Sequence, residues 1–432
     1  MPAVLSAHLP RARVVAAAGE RSAAPPPPIL PGAHFAAALA FFVAGTLGLV
    51  VIAPELAAGA FFHARVVAVV HLFTLGWIML SIFGALCQFL PVAVDQPIRW
   101  QKLAQLSLLS QTLGVAVFVT AVVTGSRPAL YLGAGLLSTA FLAFAVNLAA
   151  TLANAATRSL TWWALAGACV FLVVTPVYGF LLAINLHSGL LGAERFAIVA
   201  RHSHVAIAGI VLLVMVGVAH RLLPMFLLSH GADERPGRAA AAALFAGASL
   251  LSVPVGGAAT TVGAAVLIAT GVCAFLLQAF TFYRHGKRTK ADPGMRLAAG
   301  GLIGLCAALL TAPFALGLGL GNVTLLATYH VLLIGAVSLF VAGHYYKIVP
   351  FLVWYHRFGP LVGLRPVPKV HELYSRRVAS VNAGLLVAGW VGLVVGTAWG
   401  VEGVIRAFAL VFASGAMLEA VTIGAIARRK PA

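Results

Sequence analysis

Three histidines in this chain stand at the same spacing from downstream glycine and proline residues. His71, His204 and His330 are each followed by glycine at +5 and +13 and by proline at +20. In a regular α-helix these offsets lie about 140°, 220° and 200° from the histidine, on the opposite face. Small residues on that face allow a neighbouring helix to approach closely. The spacing therefore predicts three related helices, each presenting one imidazole on its other face.

The chemistry of these imidazoles depends on whether they act singly or together. A lone histidine inside a membrane most simply bonds a backbone carbonyl, but polar side chains in lipid are costly and usually functional. Neutral imidazole is also a favoured ligand of haem iron. Because all three helices are predicted to enter from the same side, their histidines share one depth, about two turns below the extracytoplasmic surface. Two of them on facing helices can clamp one haem.

A fourth histidine, His202, stands two residues before His204 in the sequence RHSH. Two residues turn a helix by about 200°, so the two imidazoles are expected to face opposite sides. One interpretation is that they serve two different cofactors or gaps. The other is that one ring faces lipid and one faces the core, without a metal.

Further ionisable side chains are predicted inside the helices or near their ends. Four near the cytoplasmic ends most simply extend to the interface, and the alternative is a proton or propionate contact; they are His220, Arg221, His344 and Lys347. Glu419 is the one carboxylate well inside a predicted span, either as a structural hydrogen-bonding group or as a proton relay. The four cysteines stand singly in separate predicted helices, which indicates neither a disulfide framework nor a CxxC metal site.

Hydropathy predicts the elements that must position these residues. Hydrophobic residues make up 62% of the chain and charged residues only 9%, which is outside the usual range of soluble domains. About 20 apolar residues span a bilayer as a helix, and by this rule we expect an all-α polytopic membrane protein of about twelve transmembrane helices, in three pseudo-repeats of four. The predicted spans are 35–52, 66–92, 103–123, 130–152, 162–186, 196–227, 240–255, 260–282, 297–318, 323–353, 378–395 and 404–426.

The net charge of +18 is distributed unevenly along the chain. Most of the 28 lysines and arginines lie at the two termini and in the loops after even-numbered helices. This bias predicts a multi-pass protein of the cell inner membrane with both termini in the cytoplasm. Attraction to anionic lipid is a second consequence, and the charge does not indicate nucleic acid as a partner.

The chain divides into three segments. Residues 1–32 carry three arginines and four consecutive prolines, without an apolar stretch followed by a cleavage site. They are predicted to form a flexible cytoplasmic tail. The twelve-helix membrane domain is predicted over residues 33–427, and residues 428–432 form a basic cytoplasmic C-terminus.

The predicted tenth helix, TYHVLLIGAVSLFVAGHYYKIVP, resembles the tenth helix of heme-copper oxidase subunit I. That family has H-x-H there, then a GAVF-like stretch, a glycine, an aromatic cluster and a proline. The resemblance implies that His330 and His71 are the axial ligands of a low-spin haem b. Twelve helices, three-fold pseudosymmetry and cytoplasmic termini agree with the family. The second-helix pattern H-x4-G-x7-G-x6-P is similar to NnrS proteins, relatives of that fold linked to nitric oxide stress.

Several positions depart from the oxidase pattern. Thr328 replaces the histidine of H-x-H that ligates the high-spin haem, and the sixth helix lacks the H-x3-Y pair. The seventh helix has no histidine for copper, and the arginine pair expected after the eleventh helix is missing. The resemblance therefore implies the low-spin haem without a copper site, and His204 and His202 are the candidates for a second cofactor.

These observations leave three hypotheses about function. The first is a haem protein related to oxidase subunit I or NnrS, in respiratory electron transfer or in handling nitric oxide or another diatomic gas, with cytochrome c or another electron-transfer subunit as partner. The second is a metal-handling or small-solute transporter, because internal repeats are common in transporters too. The third is a structural subunit that kept the fold and lost its cofactors. Whether the protein is an enzyme stays open.

Overall fold

The structure is a computed structural model that describes residues 28–229, 231–253, 257–287 and 292–431. Over these ranges the chain forms twelve long helices and no β-strand, which confirms the predicted all-α fold. Their bounds are α1 Ile29–Val51, α2 Ala64–Ala93, α3 Gln101–Thr124, α4 Arg127–Ala153, α5 Leu160–Ser188, α6 Gly192–Leu227, α7 Arg235–Ser252, α8 Ala258–Arg284, α9 Pro293–Leu318, α10 Val323–Arg357, α11 Arg376–Trp399 and α12 Glu402–Arg428.

All of these helices except α7 lie in stretches that are long and apolar enough to cross a membrane, and one such stretch, Pro293–Arg357, contains both α9 and α10. The helix α7 has only 18 residues and starts with Arg235 and Arg238, which lower its hydropathy. Large apolar side chains such as Leu310 and Val421 are exposed on the outer surface. Because such a surface is stable only in lipid, the protein is a multi-pass membrane protein.

Most helices extend beyond the predicted spans, since hydropathy falls at the polar and charged residues near a helix end although the helix continues. The helix α10, for example, runs to Arg357 instead of residue 353. Long basic side chains at helix ends keep their charge in water while the backbone stays helical. The predicted spans 35–52 and 240–255 are exceptions at their C-terminal ends, because α1 ends at Val51 and α7 at Ser252. Residues 1–27 of the predicted tail lie outside the described residues, and α1 begins at Ile29.

The three histidine-bearing helices form the centre of the bundle. Residues of α2 and α6 are mostly buried, whereas fewer than a quarter of the residues in the apolar stretch of α8 are buried. Buried residues also occupy most of the length of α10. Neighbouring helices pack as antiparallel pairs around this centre, and α1 also packs against α12. The imidazoles are therefore carried by the most enclosed elements of the fold.

The repeated glycine at +13 from each histidine faces the helix that precedes it in the chain. A Cβ atom added at Gly84 or Gly217 would lie 2.7 or 3.0 Å from a side-chain Cβ atom of that helix, and one at Gly343 would meet a backbone carbonyl. The contacts are Gly84 with His34 of α1, Gly217 with Ala164 of α5, and Gly343 with Gly294 of α9. The three glycines thus have equivalent surroundings, while the grouping into three four-helix units stays a prediction.

Two of the three central helices contain a π-helical segment directly after the histidines. The segments are Leu72–Met79 in α2 and Ala206–Leu212 in α6, and α10 has an uninterrupted α-helix at the same place. Each residue of a π segment turns through a smaller angle because its hydrogen bonds span five residues. The glycines at +5 and +13, about 80° apart in a regular helix, therefore come onto one face in α2 and α6.

The contacts of the glycines at +5 agree with this change in the direction that they face. Gly76 meets Phe41 of α1, so α1 faces both repeated glycines of α2. Gly209 likewise meets Phe171 of α5. In α10, which lacks the π segment, Gly335 meets Trp390 of α11 instead of a residue of α9.

Candidate functional site

The four candidate histidines lie at one end of the bundle, where α2, α6 and α10 begin. We call it the histidine end, and we call the opposite end, where these helices finish, the basic end. His71 and His330 are each the eighth residue of their helix. His204 is the tenth residue of the α-helical segment that begins at Arg195. The three therefore lie two to three turns from the helix starts, as the repeat predicted.

One ring nitrogen of each repeated histidine is anchored to its own helix. Nδ1 bonds the carbonyl oxygen four residues earlier: His71 to Val67 at 2.7 Å, His204 to Ala200 at 2.8 Å, and His330 to Leu326 at 2.7 Å. A carbonyl oxygen only accepts, so Nδ1 carries the hydrogen and Nε2 carries the lone pair. Histidines that bind metals usually have this second hydrogen bond, which fixes the tautomer and the ring orientation.

The surroundings of Nε2 differ among the three rings. Nε2 of His204 lies 3.2 Å from the hydroxyl oxygen of Tyr329, and the two rings are parallel within 9°. The tyrosine therefore donates to this nitrogen. Among the described residues, neither His71 nor His330 has a hydrogen-bond partner at Nε2. Of the three repeated imidazoles, these two are therefore the ones with an unengaged lone pair, a state that the buried rings of His34 and His344 share outside the repeat.

Aromatic rings surround the two unengaged imidazoles. The ring of Phe118 on α3 lies 4.9 Å from the ring of His71. His330 stacks on Phe61, at 6.1 Å, and meets Tyr329 edge-on at 5.3 Å. Both histidines are partly buried. Apolar walls of this kind exclude water from a cofactor pocket and hold the rings in place.

The pair His202 and His204 faces two different neighbours, as the 200° separation predicted. His202 lies against α5, where its ring is close to the backbone carbonyl of Thr175 and would lie 3.3 Å from a Cβ atom added at Gly179. It is also within electrostatic range of His71 on α2. His204 faces α10 and is within electrostatic range of His330. The helix α6 thus places one imidazole towards each of the other two histidine helices.

The contacts between α2 and α10 lie closer to the basic end than the histidines do. The hydroxyl oxygens of Ser81 and Tyr345 are 2.7 Å apart, and the ring of Trp77 lies 5.0 Å from that of Tyr345. All three side chains are buried. Sequence reasoning did not identify this link, since only the aromatic cluster that follows Gly343 hinted at it.

The polar side chains near the basic end do not all extend to the interface. His344 is buried, and Lys347 pairs with the largely buried carboxylate of Asp292, the residue that caps the start of α9. The prediction that these two side chains reach the interface is therefore wrong. His220 bonds Glu234 at 3.2 Å, and Arg221 is exposed.

Glu419 is completely buried in α12 and takes part in a small hydrogen-bonded group. The side-chain amide of Asn382 lies 3.4 Å from a carboxylate oxygen of Glu419 and donates to the hydroxyl oxygen of Tyr346 at 2.9 Å. The three residues stand on α12, α11 and α10. They connect these helices away from the histidine end.

Thr328 stands at the position where the oxidase pattern has the histidine ligand of the high-spin haem. The hydroxyl group of Thr328 donates to the carbonyl oxygen of Thr324, at 2.7 Å, and thus bonds its own helix. Within the described ranges, no three histidine, cysteine, aspartate or glutamate side chains gather as a metal site. Two imidazoles are sufficient for haem iron, because the porphyrin supplies the other four nitrogen ligands.

Comparison with known proteins gave no match, either to a protein-family model or to a curated protein. The resemblance to heme-copper oxidases and NnrS proteins therefore depends on the residues of the second and tenth helices. The fold and the exposed apolar surface together define a polytopic all-α membrane protein.

Proposed function

We propose that this protein is an integral membrane haem protein in which His71 and His330 are the axial ligands of one haem b. It would act in respiratory electron transfer or in handling nitric oxide or another diatomic gas. The observation that carries the proposal is the state of the two rings at matched positions of the repeat. Each is anchored through Nδ1 and presents a lone pair at Nε2 that no described residue engages.

The donor set fits the iron of a haem. Neutral imidazole is a common axial ligand, and its hydrogen bond to a carbonyl increases the basicity of the other nitrogen. When bound, a haem of this type would take up and release single electrons at its iron. Phe118 and Phe61 would keep the two imidazoles in orientation and limit the access of water.

His204 has a different part in this proposal. Its Nε2 already accepts a hydrogen bond from Tyr329, so this lone pair is engaged unless the tyrosine moves. His202 and His204 are therefore reserved for a second cofactor, or for orienting the surroundings of the first one. His71 and His330 are preferred to His204 as ligands because, among the described residues, their Nε2 atoms have no hydrogen-bond partner.

Positive charge is available at the same end for the acidic groups of a haem. Arg65 lies six residues before His71 and pairs with Glu55 at 3.4 Å, with its side chain more than half exposed. Arg195 lies at the start of α6, over the ring of Phe196. Both side chains lie at the starts of their helices, at the same end of the bundle as His71 and His330.

Optical and electron paramagnetic resonance spectra of the purified protein, with analysis of haem, iron and copper, test the proposal. We expect a reduced-minus-oxidised spectrum of haem b and a low-spin signal. His187→Ala provides a matched control, because His187 lies at the same end but is exposed and outside the cluster. This variant should retain the signal, whereas the double variant His71→Ala/His330→Ala should lose it.

A well-folded protein purified without haem would refute the proposal. Uptake of a metal ion or small solute into vesicles by that haem-free protein would then support the transporter hypothesis.

A further inference from the structure

A groove of about 700 Å³ opens at the basic end between α5, α6 and α7. Its size is in the range of about 300 to 1,000 Å³ that is typical of small-molecule sites. It lies far along α6 from the histidines, beside His220 and Arg221. The haem proposal does not involve this region.

The mouth of the groove is rich in positive charge. Arg158, Arg221 and Arg238 line it together with His220, and Glu234 is the one carboxylate among the lining residues. Glu234 is occupied, because Arg238 bonds one of its oxygens at 3.1 Å and His220 bonds the other at 3.2 Å. Among the described residues, Arg158 and Arg221 have no carboxylate partner.

Aromatic side chains stand at the same level as the arginines. The guanidinium group of Arg158 lies 5.2 Å from the ring centre of Trp162. Trp163 is adjacent and 58% exposed. Tryptophan is enriched where membrane proteins cross the level of lipid headgroups. The positions of the helix ends agree, since α5 begins at Leu160 and α7 at Arg235.

Beyond the arginines the groove becomes apolar and stays open to the surrounding lipid. Val170 and Phe245 line it and are 46% and 40% exposed. Ala166 and Gly167 provide a shallow floor between them. A ligand that fills the whole groove therefore needs an anionic head and an apolar tail.

We propose that this groove binds an anionic phospholipid, with its phosphate between Arg158 and Arg221 and one acyl chain along Val170 and Phe245. Basic pockets between transmembrane helices are suited to anionic headgroups. A soluble anion would satisfy the arginines but would leave the apolar part of the groove unused. A zwitterionic lipid would fill the apolar part but would bring a second positive charge to an already positive mouth.

Binding of lipids to the purified, delipidated full-length protein tests this inference. Phosphatidylglycerol and phosphatidylcholine with identical acyl chains are compared by native mass spectrometry and by the shift in melting temperature. We expect phosphatidylglycerol to bind and stabilise the wild-type protein more strongly than phosphatidylcholine. Equal binding of the two lipids would overturn the proposal, and this comparison does not depend on any variant.

Two variants and a matched control locate the site. Arg158→Gln and Arg221→Gln should each weaken binding of phosphatidylglycerol about fivefold, because one basic residue near the headgroup level contributes roughly that factor. Arg127→Gln is the control, since Arg127 also lies at a helix start, over the ring of Tyr131, but at the histidine end. It should bind like the wild type. An equal loss in the control would show that general surface charge determines binding and would refute the site.

A soluble anion is distinguished with inorganic phosphate. If phosphate alone stabilises the protein as much as phosphatidylglycerol does, and does so through Arg158 and Arg221, the groove is an anion site and the proposal fails. If phosphate has little effect while phosphatidylglycerol stabilises the protein, the acyl chain contributes as proposed.

Discussion

The hydroxyl group of Tyr329 donates to Nε2 of His204, with 3.2 Å between the two atoms and the rings almost parallel. This bond joins α10 to α6 at the histidine end, one residue away from His330. It makes His204 different from the other two repeated histidines, although all three have the same sequence spacing. Histidines at equivalent positions of the repeat therefore differ in the hydrogen bonds that their Nε2 atoms make.

A double-mutant cycle measures this link. Tyr329→Phe removes the donor and leaves Nε2 of His204 without a partner, and we expect a loss of about 1 to 3 kcal/mol in the free energy of unfolding. His204→Leu should remove most of this penalty, because the unpaired nitrogen is then gone. Thermal or denaturant unfolding in detergent gives the coupling energy. Strictly additive effects of the two changes would contradict the hydrogen bond.

The haem assignment can be tested by three single substitutions. His71→Ala or His330→Ala removes one of the two proposed strong-field ligands, so a six-coordinate low-spin iron becomes five-coordinate or is lost. His204→Ala should leave the low-spin signal intact, because its Nε2 is engaged by Tyr329. Electron paramagnetic resonance reports the spin state directly. A signal that survives the first two changes and disappears in His204→Ala or His202→Ala would move the haem to α6.

The sequence predicted the elements of this protein better than their contacts. Hydropathy and spacing are local properties, and they were sufficient for the twelve helices and for the equivalent positions of His71 and His330 within their helices. The π segments after His71 and His204 were not predictable in this way. A π segment depends on how a helix packs against its neighbours, and α10 has the same glycine spacing without one.

Contacts between distant residues were also beyond the sequence. The pairing of Lys347 with Asp292 joins α10 to the residue that caps the start of α9, and it overturned the expectation that Lys347 extends to the interface. Tyr329 stands next to His330 in the sequence, yet its role becomes visible only when α6 and α10 are placed together. Site residues could be proposed from spacing, but their partners could not.

The repeated glycines should be sensitive to size. Gly84→Leu, Gly217→Leu and Gly343→Leu would each push a side chain into the preceding helix, where the nearest atoms already limit a single Cβ atom. Overpacking of this kind typically costs about 1 to 3 kcal/mol. We expect lower melting temperatures and lower yields. Gly384→Leu is the control, because a Cβ atom at this exposed position of α11 meets nothing within 4 Å. Wild-type melting of all three variants would refute the close approach.

The orientation in the membrane is open to a direct test. The bias of lysine and arginine predicts that the basic end faces the cytoplasm. Reporter fusions after Lys369, in the loop between α10 and α11, should therefore give a cytoplasmic signal. Fusions after Gly125, between α3 and α4, should give an extracytoplasmic signal. The reverse result would place the histidine end at the cytoplasmic surface.

The buried carboxyl group of Glu419 provides the last prediction, which separates its two interpretations. Its contacts with Asn382 and, through Asn382, with Tyr346 indicate a structural group that joins α10, α11 and α12. Among the described residues, no cation lies within salt-bridge distance of it, so an uncharged replacement of the same shape should be tolerated. We expect Glu419→Gln to melt like the wild type and to keep its haem spectrum. Asn382→Leu should lower the free energy of unfolding by about 1 to 3 kcal/mol, because it leaves buried oxygen atoms unpaired. A Glu419→Gln variant that folds normally but loses proton-coupled electron transfer would instead establish the carboxyl group as a proton relay.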